Sequence, residues 1–255
     1  MNTYFKSKIG LLKSKYMYKW SFFHSRRLTK FYGKLLVNCN LCFDIGAHLG
    51  DRSKCFLELN KKVVAVEPQP LFAAKLRERF SKNKHFMLEE IGLGAENTKG
   101  QLQISSLHPT VSTIANAKWR KSLNAKANNK IKWDQKVDIN ILTLDSLIEK
   151  YGKPDFCKID VEGFELEVLE GLTSQVKLVS FEFFSFTLDR TIKCLDALEA
   201  LGIYEYNISL EDSLVMEFGD RVRKLELLNY LEPLTGKTIT GDIYAFAIPL
   251  DKTKP

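Results

Sequence analysis

Residues 41–51 read LCFDIGAHLGD, and the fold turns on how they are read. A short apolar run, residues 41–43, ends in the acid Asp44. Glycines follow at Gly46 and Gly50, and a helical pattern opens at once in DRSKCFLELN. That is the order of a strand, a tight turn and a helix N-terminus. Such a turn offers backbone N–H groups to a ligand, and glycine lets the ligand approach closely. Residues 61–68, KKVVAVEP, supply a second strand that ends in Glu67, 21 residues after Gly46. A carboxylate there suits capture of a ribose diol. Together the two segments predict a nucleoside-cofactor site on a doubly wound sheet.

Working outward, residues 41–206 alternate strand and helix patterns. Pro70 suits a helix first turn, with Ala73, Leu76 and Phe80 on the buried face. HFMLEEIGLG reads as a third strand and its exit loop, and QLQISS as an extra strand. VDINIL returns to strand, followed by a helix with Leu144, Leu147 and Ile148 inward and Thr143 or Asp145 as its cap. DFCKIDVEG is the fourth core strand with its loop. GFELEVLEGL is a helix with acids in its first turn and Gly171 at its end. VKLVSFEFF is a fifth strand. Leu188, Ile192, Leu195 and Leu198 line the next helix, and YEYNISL and GDIYAFAIP close the chain as strands. The order predicts an α/β fold with a mostly parallel sheet covered on both faces.

In such a sheet the chemistry lies at the carboxyl ends of the strands. Asp44, Glu67, Glu89, Glu90, Asp160, Glu162 and Glu182 all fall there. A single acid at a strand end usually caps the next helix; a collar of them suits a ligand with hydroxyls and positive charge, as S-adenosylmethionine has. The rival cofactor is NAD, whose pyrophosphate wants G-x-G-x-x-G. Here the glycines are spaced Gly46-x-x-x-Gly50, His48 stands where a middle glycine would fall, and Asp44 would repel phosphate.

FDIGAHLGD, VVAVEPQP, TLDSLI, KIDVEGFELEVLEGL and VSFEF, in that order, resemble the FkbM-type methyltransferases, class I enzymes that use S-adenosylmethionine. The resemblance covers roughly residues 40–248. It implies a doubly wound, mostly parallel seven-stranded, Rossmann-like sheet, and methyl transfer to a hydroxyl oxygen of a saccharide or other natural product. By position it implies that Asp44, Gly46 and Gly50 wrap the methionine part and Glu67 holds the ribose. Asp160 and Glu162 would lie beside the methyl or the acceptor. The candidate cofactor set is Asp44, Gly46, Ala47, His48, Gly50, Asp51, Glu67, Pro68 and Asp160, with Glu90 added from the end of the third strand. Members of the family usually carry Asn where this chain has His48.

Hydroxyl methylation needs a proton acceptor as the new bond forms. The candidates are Asp160, Glu162, Glu182, His48 and His108, with Asp160 and Glu162 favoured because they leave the fourth strand. The bland alternative is that both only cap the following helix. Lys158, inside an apolar strand, is expected to pair with a nearby acid. Trp119 and Trp133 are expected to pack, although aromatic faces beside cations can also hold sugars or bases. No metal site is expected, since the acids lack histidines at ligand spacing.

The net charge of +7 is unevenly placed. Residues 1–43 hold seven Lys and two Arg with no acid, and residues 118–136 carry +6, leaving −8 for the remainder. Phe5, Ile9, Leu12, Tyr16, Trp20 and Phe23 form a helical stripe. The expected organisation is a basic amphipathic helical extension over residues 1–40 and a methyltransferase domain over 41–255, with a basic insertion at about 108–136. The basic segments point to an anionic partner: a phosphate-linked saccharide, a membrane surface or RNA. The readings that compete with a sugar O-methyltransferase are a nucleic-acid methyltransferase and a non-catalytic or NAD-binding module. The five scattered cysteines fit a reducing compartment, and no apolar run reaches membrane-span length, so a cytoplasmic location is expected.

Overall fold

The computed structural model describes residues 21–249. The stripe from Phe5 to Trp20 lies outside them. In chain order the elements are α1 (Ser21–Leu35), β1 (Leu41–Ile45), α2 (Asp51–Glu58), β2 (Lys62–Val66), α3 (Pro70–Phe80), β3 (Phe86–Glu89), β4 (Gly92–Leu93) and β5 (Thr98–Ile104). Then come α4 (Ala117–Lys126), β6 (Gln135–Leu142), α5 (Leu144–Tyr151), β7 (Phe156–Ile159), α6 (Glu165–Glu170), β8 (Leu178–Phe184), α7 (Leu188–Glu199), β9 (Tyr204–Leu210), α8 (Lys224–Leu231) and β10 (Thr240–Ala247).

Seven strands form one sheet in the order β3-β2-β1-β7-β8-β10-β9. All pairs are parallel except those of β10, which runs antiparallel to β8 and to β9. The expected doubly wound α/β sheet is therefore what the chain forms. Its central strands are buried on both faces, which is why KVVAV and FCKI read as nearly unbroken apolar runs. On one face α5, α6, α7 and α8 pack Leu147, Leu169, Leu195 and Leu227 against Phe43, Ile159, Phe181 and Ile243. On the other, α1 and α2 bring Leu28, Tyr32 and Phe56 onto Cys42, Val63, Phe156 and Leu178. The strand order reverses between β1 and β7, and the cleft at that reversal is where such sheets bind ligands.

The sequence reading assigned QLQISS and VDINIL without saying where they pair. They build a second sheet of three strands, order β4-β6-β5, with β5 and β6 antiparallel. The basic insertion, including α4, joins β5 to β6 and lies over the carboxyl end of the main sheet. All five cysteines are free and buried. Among the described residues no helix is long and apolar enough to cross a membrane.

Candidate active site

Gly46 ends β1 at φ +79°, and a Cβ there would lie 1.8 Å from the Asp160 carbonyl oxygen. Only glycine lets the β1 turn meet the β7 loop this closely. The turn is held to β2 by its own amides. Gly46 N–H and Ala47 N–H donate to the Val66 carbonyl, at 2.9 and 3.0 Å. His48 N–H donates to Glu67 Oε2 at 2.7 Å, and Gln69 N–H to Glu67 Oε1 at 2.9 Å. The expectation of unpartnered N–H groups facing a ligand is corrected here, because the Val66 carbonyl and the Glu67 carboxylate take up all three.

Glu67 thereby becomes the centre of the site. It is 5% exposed. Each carboxylate oxygen has about two lone-pair sites, and one backbone N–H occupies a site on each. One acceptor position per oxygen is left, and Glu67 lines a cavity. Burial raises its pKa to about 7, against the lowering effect of the two amides.

That cavity also has Gly46, His48, Pro68, Asp160 and Glu162 in its wall. Its apolar side is Phe72, Ile91, Leu102 and Ile114, and residues 109–114 of the insertion close it. The enclosed volume is about 90 Å³, against roughly 300–1,000 Å³ for ordinary ligand sites. The His48 ring lies against Phe72, centroids 3.9 Å apart. Burial lowers its pKa to about 4, so the imidazole is neutral at physiological pH.

The remaining predicted residues sit elsewhere. Asp44 is buried beneath the turn and accepts from Ser53 Oγ at 2.5 Å. Ala47 packs with Ala65, Leu76 and Phe80. Gly50 begins α2 facing Leu76 and Phe80, and Asp51 pairs with Arg79 at 2.8 Å. These four support the turn and do not line the cavity. Glu90 is corrected more firmly: it is exposed and pairs with Arg77 at 3.3 Å, while its neighbour Ile91 takes the place in the wall. Glu89 likewise leaves the expected collar, bound to Lys150 and to the Tyr151 hydroxyl.

Acids do converge at the ends of β7 and β8. Asp160, Glu162 and Glu182 each place a carboxylate oxygen within 4.8 Å of the others. Lys158 is wholly buried, with Nζ 2.7 Å from Asp160 Oδ2, which is the expected pairing. Burial opposes ionisation of Asp160, but Lys158, Arg52 and hydrogen bonds outweigh it and hold the carboxyl below its usual range. Glu162 and Glu182 lack such a partner. Burial, then the Asp160 charge, pushes both well above the carboxylate range.

The loop carrying Glu162 is strained and braced. Glu162 has φ +53° and Gly163 φ +90°, an arrangement that a bulky residue adopts only when its surroundings impose it. Glu165 Oε1 accepts from Val161 N–H and Gly163 N–H at 3.2 and 3.0 Å. Trp119 of α4 lies where a Cβ on Gly163 would be, about 2.0 Å away. The Thr113 hydroxyl donates to the Glu162 carbonyl at 2.7 Å, tying the insertion to the catalytic candidates. Sequence reasoning missed Thr113, Glu165 and Trp119 in these roles. Only Glu165 had a local signal, as an acid two residues past the glycine. His108 does not line the cavity, but the adjoining Pro109 does. Trp133 packs over the insertion, donating to the Val111 carbonyl at 3.0 Å.

The family model described as Methyltransferase FkbM domain matches residues 44–231. A curated relative, the hexuronic acid methyltransferase AglP of Haloferax volcanii, is 28% identical over 144 residues, 56% of this chain and 54% of its own length. The chain thus spans about half the length of that relative. Among solved structures, a putative RNA methyltransferase from Pyrococcus horikoshii aligns with TM-score 0.44 and 13% identity, covering 90% of this chain and 83% of the other. An O-methyltransferase from Thermotoga maritima, described as S-adenosylmethionine-dependent, aligns with TM-score 0.40 and 11% identity, covering 88% and 66%. Likeness at that level decides nothing between acceptor classes.

Proposed function

The chain belongs to the FkbM methyltransferase-domain family, and from that premise we propose that it transfers a methyl group from S-adenosylmethionine to a hydroxyl oxygen of a saccharide. The observation that carries the cofactor assignment is Glu67, buried and oriented by two amides, with one acceptor position left on each oxygen. In its ionised form this two-point acceptor matches a vicinal diol and has no use for a diphosphate. The chemistry of the wall agrees: Phe72, Ile91, Leu102 and Ile114 offer an apolar slot for a flat base, and the ionised Asp160 offers negative charge for an ammonium or sulfonium.

When bound, the cofactor supplies a methyl carbon already activated for in-line displacement. The chain's own residues then bind, orient and accept a proton. Glu67 fixes the ribose. Asp160, held ionised by Lys158, is a poor proton acceptor and serves as a fixed negative charge. Glu162 is the residue we assign as base. Burial and the Asp160 charge raise its pKa above the ordinary carboxylate range, which makes it a stronger proton acceptor than Asp160, and its strained backbone aims it at the same space as Asp160. Because the cavity is small, entry of a nucleoside requires residues 109–114 to move outward.

The saccharide acceptor rests on the name of the AglP relative. The nucleic-acid alternative rests on the two basic segments, of which the described residues include the insertion. There Arg120 donates to the Ala115 carbonyl at 2.6 Å and Lys126 to the Gly236 carbonyl at 2.9 Å, which favours an architectural role for these two. Five buried thiols suit a reducing compartment, and we place the protein in the cytoplasm. Incubation with methyl-labelled S-adenosylmethionine and separate pools of uronic-acid glycans, neutral glycans and RNA tests the assignment. Label alkali-stable on sugar hydroxyls is expected; label only in RNA would overturn the acceptor class.

A further inference from the structure

A second cavity, sharing no lining residue with the first, lies between α1 and the loop of residues 211–221. Its volume is about 640 Å³, within the range of ordinary ligand sites. Arg27, Lys30 and Lys34 line it from α1, at a spacing of three and four that puts them on one helical stripe. Phe31 and Leu35 flank that stripe. Leu214, Val215 and Met216 form the opposite wall, and Phe246 the floor. At the far end the Arg221 guanidinium lies over the Phe246 ring, 3.9 Å from its centroid.

The lining holds four cations and no acid. The acids of the loop are Glu211, Asp212, Glu217 and Asp220, and none is in the wall. Asp212 faces Arg52 at 3.9 Å, and Glu217 accepts from the Tyr230 hydroxyl at 2.9 Å. Arg27 donates to the carbonyls of Asp212 and Ser213, which holds the groove's two sides together. Lys30 and Lys34 are exposed at the mouth, beside Val215, which is 61% exposed.

We propose that this groove binds an anionic phospholipid at a membrane surface, with the phosphate between Arg27, Lys30, Lys34 and Arg221 and the first acyl carbons against Leu214, Val215 and Met216. Charge complementarity selects the occupant. An inorganic anion would leave the apolar wall exposed. The chain's own residues 1–20 carry five lysines and no acid, a charge that does not complement the four cations of the groove. The same +5 segment directly precedes α1 and adds to attraction toward an anionic leaflet. The inference stands independently of the methyl-transfer reading.

The test uses the full chain with vesicles of phosphatidylcholine alone and of phosphatidylcholine with phosphatidylglycerol at roughly three to one. Lys30→Gln/Lys34→Gln is compared with Lys130→Gln/Lys132→Gln, an equal charge change in the insertion. Binding to the anionic vesicles is expected, weakened about 10- to 30-fold by the groove variant and far less by the control. Titration with dihexanoyl phosphatidylglycerol below its micellar concentration should shift amide resonances of residues 27–35 and 214–221, while inorganic phosphate alone should not. Equal losses in both variants, no vesicle binding, or shifts with phosphate alone would overturn the proposal. So would a concentration-dependent dimer broken by Val215→Ser without any lipid effect, which would assign the groove to a second copy.

Discussion

The Lys158 ammonium, wholly buried in β7, lies 2.7 Å from the Asp160 carboxylate, which lines the candidate site. It fixes which of the three clustered acids is ionised. Removing one member of a buried ion pair leaves an uncompensated charge and typically costs about 3–5 kcal/mol. Lys158→Met should therefore lower unfolding free energy by roughly that amount in denaturant titration. Adding Asp160→Asn should restore much of the loss. Equal destabilisation in the single and double variants would show that the pair is not the source.

Glu162 and Asp160 are distinguishable by kinetics. Glu162→Gln should reduce kcat by about 10²–10⁴-fold, the usual contribution of a positioned base, with cofactor affinity nearly unchanged. In the wild type, rate should climb with pH through a value above the ordinary carboxylate range, because Glu162 accepts a proton only when ionised and burial raises its pKa. That rising limb should vanish in the variant. A profile unaffected by the substitution would remove Glu162 from the base role.

Glu165 links pH to stability. Its folded pKa is raised to about 7, chiefly by burial, from an ordinary value of 4.5. A carboxyl raised on folding stabilises the fold below the unfolded pKa and loses that contribution as pH climbs through the folded one. Relative to Glu165→Gln, the wild type should lose up to roughly 3 kcal/mol between pH 4.5 and 8. Chemical denaturation at several pH values reads the difference. A gap that stays constant with pH would contradict the assignment.

The insertion must open for a nucleoside to enter a cavity of about 90 Å³. Its tie to the catalytic loop is the Thr113 hydroxyl on the Glu162 carbonyl. Thr113→Val should speed amide hydrogen exchange across residues 108–116 without changing exchange in β1 or β2. S-adenosylhomocysteine should slow exchange in the same segment of the wild type. Ligand binding with no change there would mean that the segment is not the gate.

The Gly46 turn, Glu67 and the Asp160–Glu162 loop could be read from sequence because each follows an apolar run and ends in an acid, and both signals are local. The second sheet could have been separated as well. VDINIL alternates, with Ile139 and Ile141 buried and Asp138 and Asn140 exposed, whereas KVVAV is buried almost throughout. Alternation marks a strand with one solvated face. The destinations of Glu89 and Glu90 could not be read. Lys150 lies 61 positions from Glu89, and Arg77 belongs to a neighbouring helix, so only tertiary packing decides that both acids turn outward. The same holds for Trp119, which reaches Gly163 across the fold.

Calorimetric titration of S-adenosylhomocysteine into the wild type and Glu67→Gln, between pH 6 and 8, probes the ribose assignment most directly. Affinity in the wild type should rise with pH as Glu67 ionises near 7, and Glu67→Gln should bind at least about tenfold more weakly with no such rise. NADH should not compete. Equal affinity of the two proteins, or tight binding of NADH in place of the thioether nucleoside, would contradict the account.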